Sequence, residues 1–387
     1  MRALEGIRVL DVTQVMAGPF CAMQLCDMGA DVIKVEPPEG DPTRQMGARR
    51  GSDSAGFAAL NRGKRGIVLD LKSAAGRHAF ERLAARADIL IENFRPGVMQ
   101  QLGLDYPALS QNNPRLIYAS ISGYGQTGPD ASKGGFDLIA QGVSGLMSVT
   151  GEPGRPPVKA GVPLTDLGAA LFALAGILAA LHHRHATGRG QHIDTSLVEA
   201  GLAFSVWEGA EYFAEGVTPQ ALGSAHRFLA PYQAVRCADG YITIGAGTDR
   251  LFTELCRLLG HPEWPTLADF ASAASRVRNR QELIARLEMT FSTKTRAHWI
   301  ERLEAHGIPC GPINTYADAF ADPQVRAREM VVEIDHPGFG PLQTLGSPIK
   351  MSDTPPTVGR HVPRLGEHTR EVLREAGLSD DEIARLA

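Results

Sequence analysis

From residue 6 to about 125, short runs of aliphatic and β-branched residues alternate with longer segments of helical period. Such alternation is what βα units feeding a mostly parallel sheet produce. It predicts strands over 7–12, 31–35, 66–71, 88–92 and 115–120. Helices are expected over 19–28 and 74–87, with a short polar one over 106–111, each closed by Gly, Asn or Pro. Ile7, Val9 and Leu10, and again Ile89, Leu90 and Ile91, are apolar without a polar face. Strands of that kind are covered on both sides by helices, so the fold class is α/β.

Past Gly145 the pattern turns helical. A Gly/Ala-rich apolar helix is expected over 167–181, then a short strand over 191–194 and a helix from 197 to about 215. A Pro/Gly/Ser-rich stretch near residue 220 marks a domain boundary. Beyond it, 232–246 reads as a hairpin turning at Ala238-Asp239-Gly240. Helical patterns follow over 250–259 and over 280–305, the latter broken near Ser292. Pro-rich strand-like segments occupy 331–351, and 367–387 reads as two short amphipathic helices, the second capped by Ser379. There is no internal repeat.

Composition narrows the function more than the fold. The 387 residues are 43% hydrophobic and 21% charged, an ordinary globular balance rather than a disordered one. Lys and Arg total 39 against 43 for Asp and Glu, so the chain lacks the basic excess that nucleic-acid backbones attract, and no nucleic acid is expected as partner. Five cysteines, an odd number with no CxxC pair, indicate neither a disulfide framework nor a zinc site, and cytosolic thiols fit best. No apolar stretch of signal-peptide length opens the chain, which gives a cytoplasmic expectation. The apolar run 167–181 would rise about 22 Å as a helix, short of the roughly 30 Å hydrocarbon core, so it is expected in the protein core and not in a membrane.

Candidate chemistry is sought at the carboxyl ends of the strands, where α/β sheets bind ligands. The first turn, Asp11 to Pro19, holds one glycine and no GxGxxG, and Glu36 after the second strand does not rescue a dinucleotide reading. Gly18-Pro19 suits a first helical turn on structural grounds alone. Asn61-Arg62-Gly63-Lys64-Arg65-Gly66 sets three cations before the third strand and Lys72 follows it. That loop is either solvated or a phosphate-binding surface. Glu92-Asn93-Phe94-Arg95-Pro96-Gly97 supplies an amide, a ring and a guanidinium, parts that could hold an adenine or a pantetheine.

Asp166 leads into the apolar helix. Its carboxylate could cap that helix, with the macrodipole keeping it ionised. An ionised carboxylate beside an apolar wall could equally be a nucleophile toward an activated acyl group, and the two roles are compatible. His182, His183 and His185, with Arg184 and Arg189, read as an exposed helix end rather than a metal site. No HExxH, GxSxG or partnered cysteine points to hydrolysis.

Several ordered strings resemble the class III CoA-transferase family, also called CaiB/BaiF. They are Gly6 to Asp11, Ala17-Gly18-Pro19-Phe20, Asp27 to Glu36, Asn61 to Arg65, Glu92 to Gly97 and Gly123 to Pro129. The likeness runs on through Gly188 to Gln191, Ala230 to Gln233, Gly311 to Asn314, Asp322 to Val325 and Leu365 to Thr369. It implies a large Rossmann-like, CoA-binding domain with a mostly parallel sheet over 1–220, and a smaller α+β domain over 221–325. A carboxyl segment over 326–387 would return to the first, and two chains would interlock as a homodimer.

By that resemblance Asp166 is the nucleophile. It would attack an acyl-CoA thioester, pass through an aspartyl-acyl anhydride and an aspartyl-CoA thioester, and hand CoA to an acceptor acid. The CoA thioester is then a substrate, and no metal or tightly bound cofactor is implied. The resemblance carries CoA contacts onto Val15, Met16, Leu69, Lys72, Asn93, Phe94, Arg95, Phe136 and Asp137. Met16 and Phe136 depart from formyl-CoA transferases, as does the stretch 223–226 in lacking their glycine-rich lid, which argues against a formate and oxalate pair. Phe136 also stands where 2-methylacyl-CoA racemases of the family have a histidine acid/base, leaving racemization as the alternative. The stretches 223–234 and 245–247 look like the branch using short dicarboxylates, with succinyl-CoA or a similar thioester as donor. Arg44, Arg227 or His226 could pair the distal carboxylate. A non-catalytic acyl-CoA binder, with Asp166 only a cap, is the reading from another class.

Overall fold

The computed structural model describes residues 1–50, 53–359 and 361–386. The chain divides into two units. The first comprises Met1–Leu146, Lys159–Ala210 and Pro323–Ala387, and the second Met147–Val158 and Glu211–Asp322.

The first unit is built on a six-stranded sheet. Its strands are β1 (Arg8–Asp11), β2 (Asp31–Glu36), β3 (Arg65–Val68), β4 (Ile89–Glu92), β5 (Ile117–Ser122) and β6 (His192–Ser196). Every adjacent pair is parallel, and the spatial order is β3-β2-β1-β4-β5-β6. This is the doubly wound order, which reverses direction between β1 and β4. The register sets Leu10 beside both Ile33 and Leu90.

Side-chain alternation divides the core between the two faces of the sheet. Val9, Val32, Ile89 and Ile117 face helices α1 (Ala17–Asp27) and α4 (Leu164–Thr187), whose Ala22, Leu25, Ala173 and Ile177 are buried against them. Leu10, Ile33, Ile67 and Leu90 face helix α2 (Ala74–Ala84) and a carboxyl-terminal helix, Thr369–Glu375, through Phe80, Leu83, Val372 and Leu373. Each such side chain, removed from water, contributes roughly 1.5–3 kcal/mol. Between α2 and α4 lies α3 (Asp137–Val143), and α5 (Leu197–Phe204) follows β6.

Most predicted elements form, with shifted ends. The helix expected from 197 to 215 is two, Leu197–Phe204 and Val206–Glu215, because the chain leaves helical geometry at Ser205. The apolar helix is longer than expected: 24 residues, not 15. At about 1.5 Å per residue it is long enough to cross a bilayer, so length does not exclude a membrane span. Its buried face argues for a core role instead. Gly168, Ala169, Ala173 and Ile177 pack inward, and buried Arg184 pairs with Asp88 at 2.9 Å.

The second unit carries a three-stranded sheet in which Gly240–Gly245 lies between Tyr232–Cys237 and Cys310–Pro312, antiparallel to both. Helices Asp249–Leu259, Arg280–Phe291 and Arg296–Ala305 cover it through Phe252, Leu287 and Trp299. The break expected near Ser292 is there, with Thr295 capping the helix that resumes. At the end of the chain Ser379 is the expected cap, with Glu382 bonding back to it, while Ala387 lies outside the described residues.

Candidate active site

Where the strand order reverses, the chains leaving β1 and β4 go to opposite faces of the sheet and open a crevice at their carboxyl ends. Two of the cavities there share Phe94. The larger, about 590 Å³, is lined by Val12, Gln14, the segment from Val35 to Glu39, the segment from Leu69 to Lys72, Phe94, Val98, Gln101 and Leu102. The smaller, about 120 Å³, is lined by Ala17, the segment from Asn93 to Pro96, the segment from Ile121 to Gly123, the loop from Lys133 to Phe136, Asp166 and Leu197. The Phe94 ring belongs to both.

Asp166 does not cap its helix. α4 begins at Leu164, three residues before the predicted start, with Pro163 at the cap position and no side-chain cap. Asp166 therefore sits within the first turn. The exposed N–H at this end is instead satisfied from α3, where the Asp137 carboxylate accepts from the Thr165 N–H at 3.0 Å and the Thr165 hydroxyl at 2.8 Å. The second Asp137 oxygen accepts from Gln141 Nε2 at 2.8 Å.

The carboxylate expected to stay ionised at this helix end is less acidic than an ordinary aspartate. Burial, and then the Asp137 carboxylate, push its pKa up to about 6. It is a carboxylate ionised at neutral pH, poorly solvated and more basic than usual, all of which favour nucleophilic attack. No other acid lines the smaller cavity, and no imidazole does.

The candidate CoA-binding residues fall into three groups. Leu69, Lys72 and Phe94 line the larger cavity, whereas Asn93, Phe94, Arg95 and Phe136 line the smaller one with Asp166. Lys72 and Arg95 form no ion pair among the described residues, and Phe136 is 75% exposed. Asn93 lines the cavity, but its amide is occupied, accepting from Gln14 N–H and donating to Gln14 C=O at 2.8 Å each. Val15, Met16 and Asp137 line neither cavity. Val15 and Met16 stand in the turn between the two, and the Asp137 carboxylate is spent on Thr165 and Gln141.

The cationic loop before β3 is not a phosphate-binding surface. Arg62 is buried on Asp27 at 2.6 Å and Lys64 on Asp11 at 2.8 Å. Arg65 reaches Asp31 at 2.6 Å and Glu375 at 2.7 Å. Arg44 is likewise unavailable to a substrate carboxylate, since it grips Glu36 with two bonds of 2.7 Å and stacks on Phe57. His226 and Arg227 lie in the second unit, where Arg227 pairs with Glu211 at 3.4 Å.

Sequence reasoning missed the walls supplied by Pro37, Pro38, Val98 and Gln101, which carry no reactive group. It also passed over the Gly123 and Gly135 contact. A Cβ on Gly135 would stand 2.3 Å from the Gly123 Cα, so the end of β5 and the loop before α3 meet backbone to backbone. Paired glycines after a strand were the available signal.

Fold and site are those of a doubly wound α/β protein with a ligand crevice at its switch point and a carboxylate of raised pKa lining it. Residues 4–369 match the model of CoA-transferase family III, and the chain belongs to that family. It is 41% identical to a succinate–glutarate CoA-transferase of Agrobacterium fabrum, over 96% of this chain and 95% of that one. It is also 41% identical to an acetyl-CoA:oxalate CoA-transferase of Acetobacter aceti, over 90% of this chain and 89% of the relative. A CaiB/BaiF family protein from Brucella suis has the same fold, with a TM-score of 0.87 and 41% identity over 97% of this chain and 99% of that one.

Proposed function

We propose that this protein moves CoA from succinyl-CoA, or a similar thioester, to a short dicarboxylic acid, with Asp166 as covalent nucleophile. The observation that carries the reading is the placement of a carboxylate of raised pKa, among the described residues unpaired and the sole acid there, in a cavity walled by Asn93, Phe94, Arg95 and Phe136. The larger cavity, with Lys72 at its rim, is the place for the nucleotide end of CoA. The pantetheine arm then passes Phe94 toward Asp166.

An Asp166 oxygen attacks the thioester carbonyl, the C–S bond breaks, and CoA thiolate leaves an aspartyl-acyl anhydride. The thiolate attacks the aspartyl carbonyl of that anhydride and releases the donor as its carboxylate, leaving an aspartyl-CoA thioester. The acceptor carboxylate displaces thiolate from this ester to form a second anhydride. Thiolate attack on the acceptor acyl carbon then yields acceptor-CoA and frees Asp166. Each step trades one activated acyl bond for another, so the energy of the thioester is retained.

Names of relatives support dicarboxylates as the acid class, glutarate and oxalate among them. The oxalate relative keeps oxalate in the acceptor screen despite Met16 and Phe136. The test is intact mass after mixing with succinyl-CoA, followed by hydroxylamine, which converts an activated aspartyl group to a hydroxamate. A mass change mapping to Asp166 is the expected result. No adduct, together with deuterium wash-in at the α carbon of a branched acyl-CoA, would overturn the reading in favour of racemization. We propose also that the working species is a homodimer.

A further inference from the structure

Beneath the crevice lies a chain of buried charges that takes no part in the transfer chemistry. Asp11 and Lys34 are 0% exposed, and Lys64 and Asp41 1%. Lys64 donates to Asp11 at 2.8 Å, to Asn61 Oδ1 at 2.9 Å and to the Pro19 carbonyl at 3.0 Å. Lys34 donates to Asp41 at 2.9 Å and to the Thr13 carbonyl. Asp11 accepts from the Thr13 N–H at 3.0 Å and from the Thr13 hydroxyl. Buried ion pairs are weak contributors to stability, because desolvation offsets their attraction, so such a chain calls for another reason.

Three of these bonds end on Thr13, in the turn that leaves β1. Thr13 has its N–H, hydroxyl and carbonyl held by the charges, and Gln14 has its N–H and carbonyl held by Asn93. Gly18 closes on Thr13 so tightly that a Cβ there would lie 2.2 Å from the threonine side chain. The next residue, Val15, has φ of +67°, a left-handed conformation that a β-branched residue rarely adopts. Strain of that kind persists only where the surroundings over-determine the backbone. The same turn supplies Val12 and Gln14 to the larger cavity and leads into Ala17 of the smaller.

We propose that Lys64 and Lys34, acting through Asp11 and Thr13, are positioning residues that hold the turn of residues 12–16 in the strained form that walls the larger cavity and leads into the smaller, and so set CoA affinity. The proposal rests on the CoA-transferase reading above. The test compares Thr13→Val, Thr13→Ser and Lys64→Met with the wild type by calorimetric CoA binding, amide hydrogen exchange over residues 12–17, and thermal unfolding. Thr13→Val removes only the hydroxyl, so it is expected to fold with a near-normal midpoint, exchange faster over the turn and bind CoA about tenfold more weakly. Thr13→Ser, which keeps the hydroxyl, is expected to restore affinity. If Lys64→Met does not fold, the threonine pair decides.

Wild-type affinity in Thr13→Val, or weaker binding without faster exchange in the turn, would overturn the proposal while leaving the transferase reading intact. A wild-type protein that fails to bind CoA would overturn both.

Discussion

In the proposed mechanism the Asp166 carboxyl faces two demands, since it must be ionised to attack and yet burial and Asp137 favour its proton. The acid limb of kcat/KM should therefore fall with an apparent pKa near 6, above the ordinary aspartate value of 3.8. Glu92 complicates this, because burial pushes it up to about 7 as well. It stands behind the binding loop, accepting the Phe94 N–H at 2.9 Å, so Glu92→Gln is expected to leave the limb in place. Asp137→Asn, by contrast, removes the like charge and should move the limb to lower pH. Both expectations are checked by pH profiles of the purified variants. Asp166→Asn should cost at least about a thousandfold in turnover, with CoA affinity little changed. It should also stabilise the fold. A carboxyl whose folded pKa exceeds its unfolded one binds its proton more tightly when folded, so the penalty is absent below pH 3.8 and complete above about 6. The full shift corresponds to about 3 kcal/mol, and partial solvation reduces the expected gain at pH 8 to about 1–2 kcal/mol. Urea unfolding at pH 8 and pH 4 should show the gain at the first and its loss at the second.

At the scale of elements, the glycine contact between β5 and the loop before α3 gives a sharp comparison. Gly135→Ala would drive a methyl into the Gly123 Cα at 2.3 Å, where only backbone can yield. Gly134→Ala meets the Arg95 guanidinium at 3.0 Å, a flexible end that can move aside. We expect Gly135→Ala to lose about 1–3 kcal/mol of stability, and Gly134→Ala to fold normally, as thermal unfolding will show. These loops also mark the limit of what the amino-acid pattern discloses. Strands β1 to β5 were legible because each is a compact apolar run between turn residues, and their parallel pairing followed from the helices between them. The residues alone point to Asp166, Lys72 and the stretch with Phe94, and the resemblance adds the roles proposed for them. What the pattern hid was pairing over long separations. Arg62, Lys64 and Arg65 look like a cationic surface until the fold brings Asp27, Asp11 and Asp31 to them. Likewise Asp166 looked like a cap because nothing local reveals that Asp137, 28 residues before the Thr165 it bonds, does that work.

For the whole molecule, the open question is what covers the outer face of the helices around Asp166. α3, α4 and α5 pack on one another, and Phe172 and Phe204 meet with ring centroids 6.0 Å apart. Yet Leu138, Leu171, Leu202 and Val206 are 51%, 50%, 56% and 67% exposed. Large apolar side chains exposed together on packed helices are rarely left to water by a lone chain, and permanent dimers bury about 2,000 Å² or more. A second copy of the chain is the occupant we propose, which would also explain why one side of a helix hydrophobic enough for a bilayer is unburied in one chain. Light scattering after gel filtration should then give twice the 41.5 kDa chain mass at micromolar concentration. Leu202→Glu, which sets a charge in the middle of that face without touching either cavity, should shift the population toward monomer and lower thermal stability with it. A wild-type mass of one chain would remove the dimer from the account. Flotation of the protein with lipid vesicles would give the same helix face to a membrane instead.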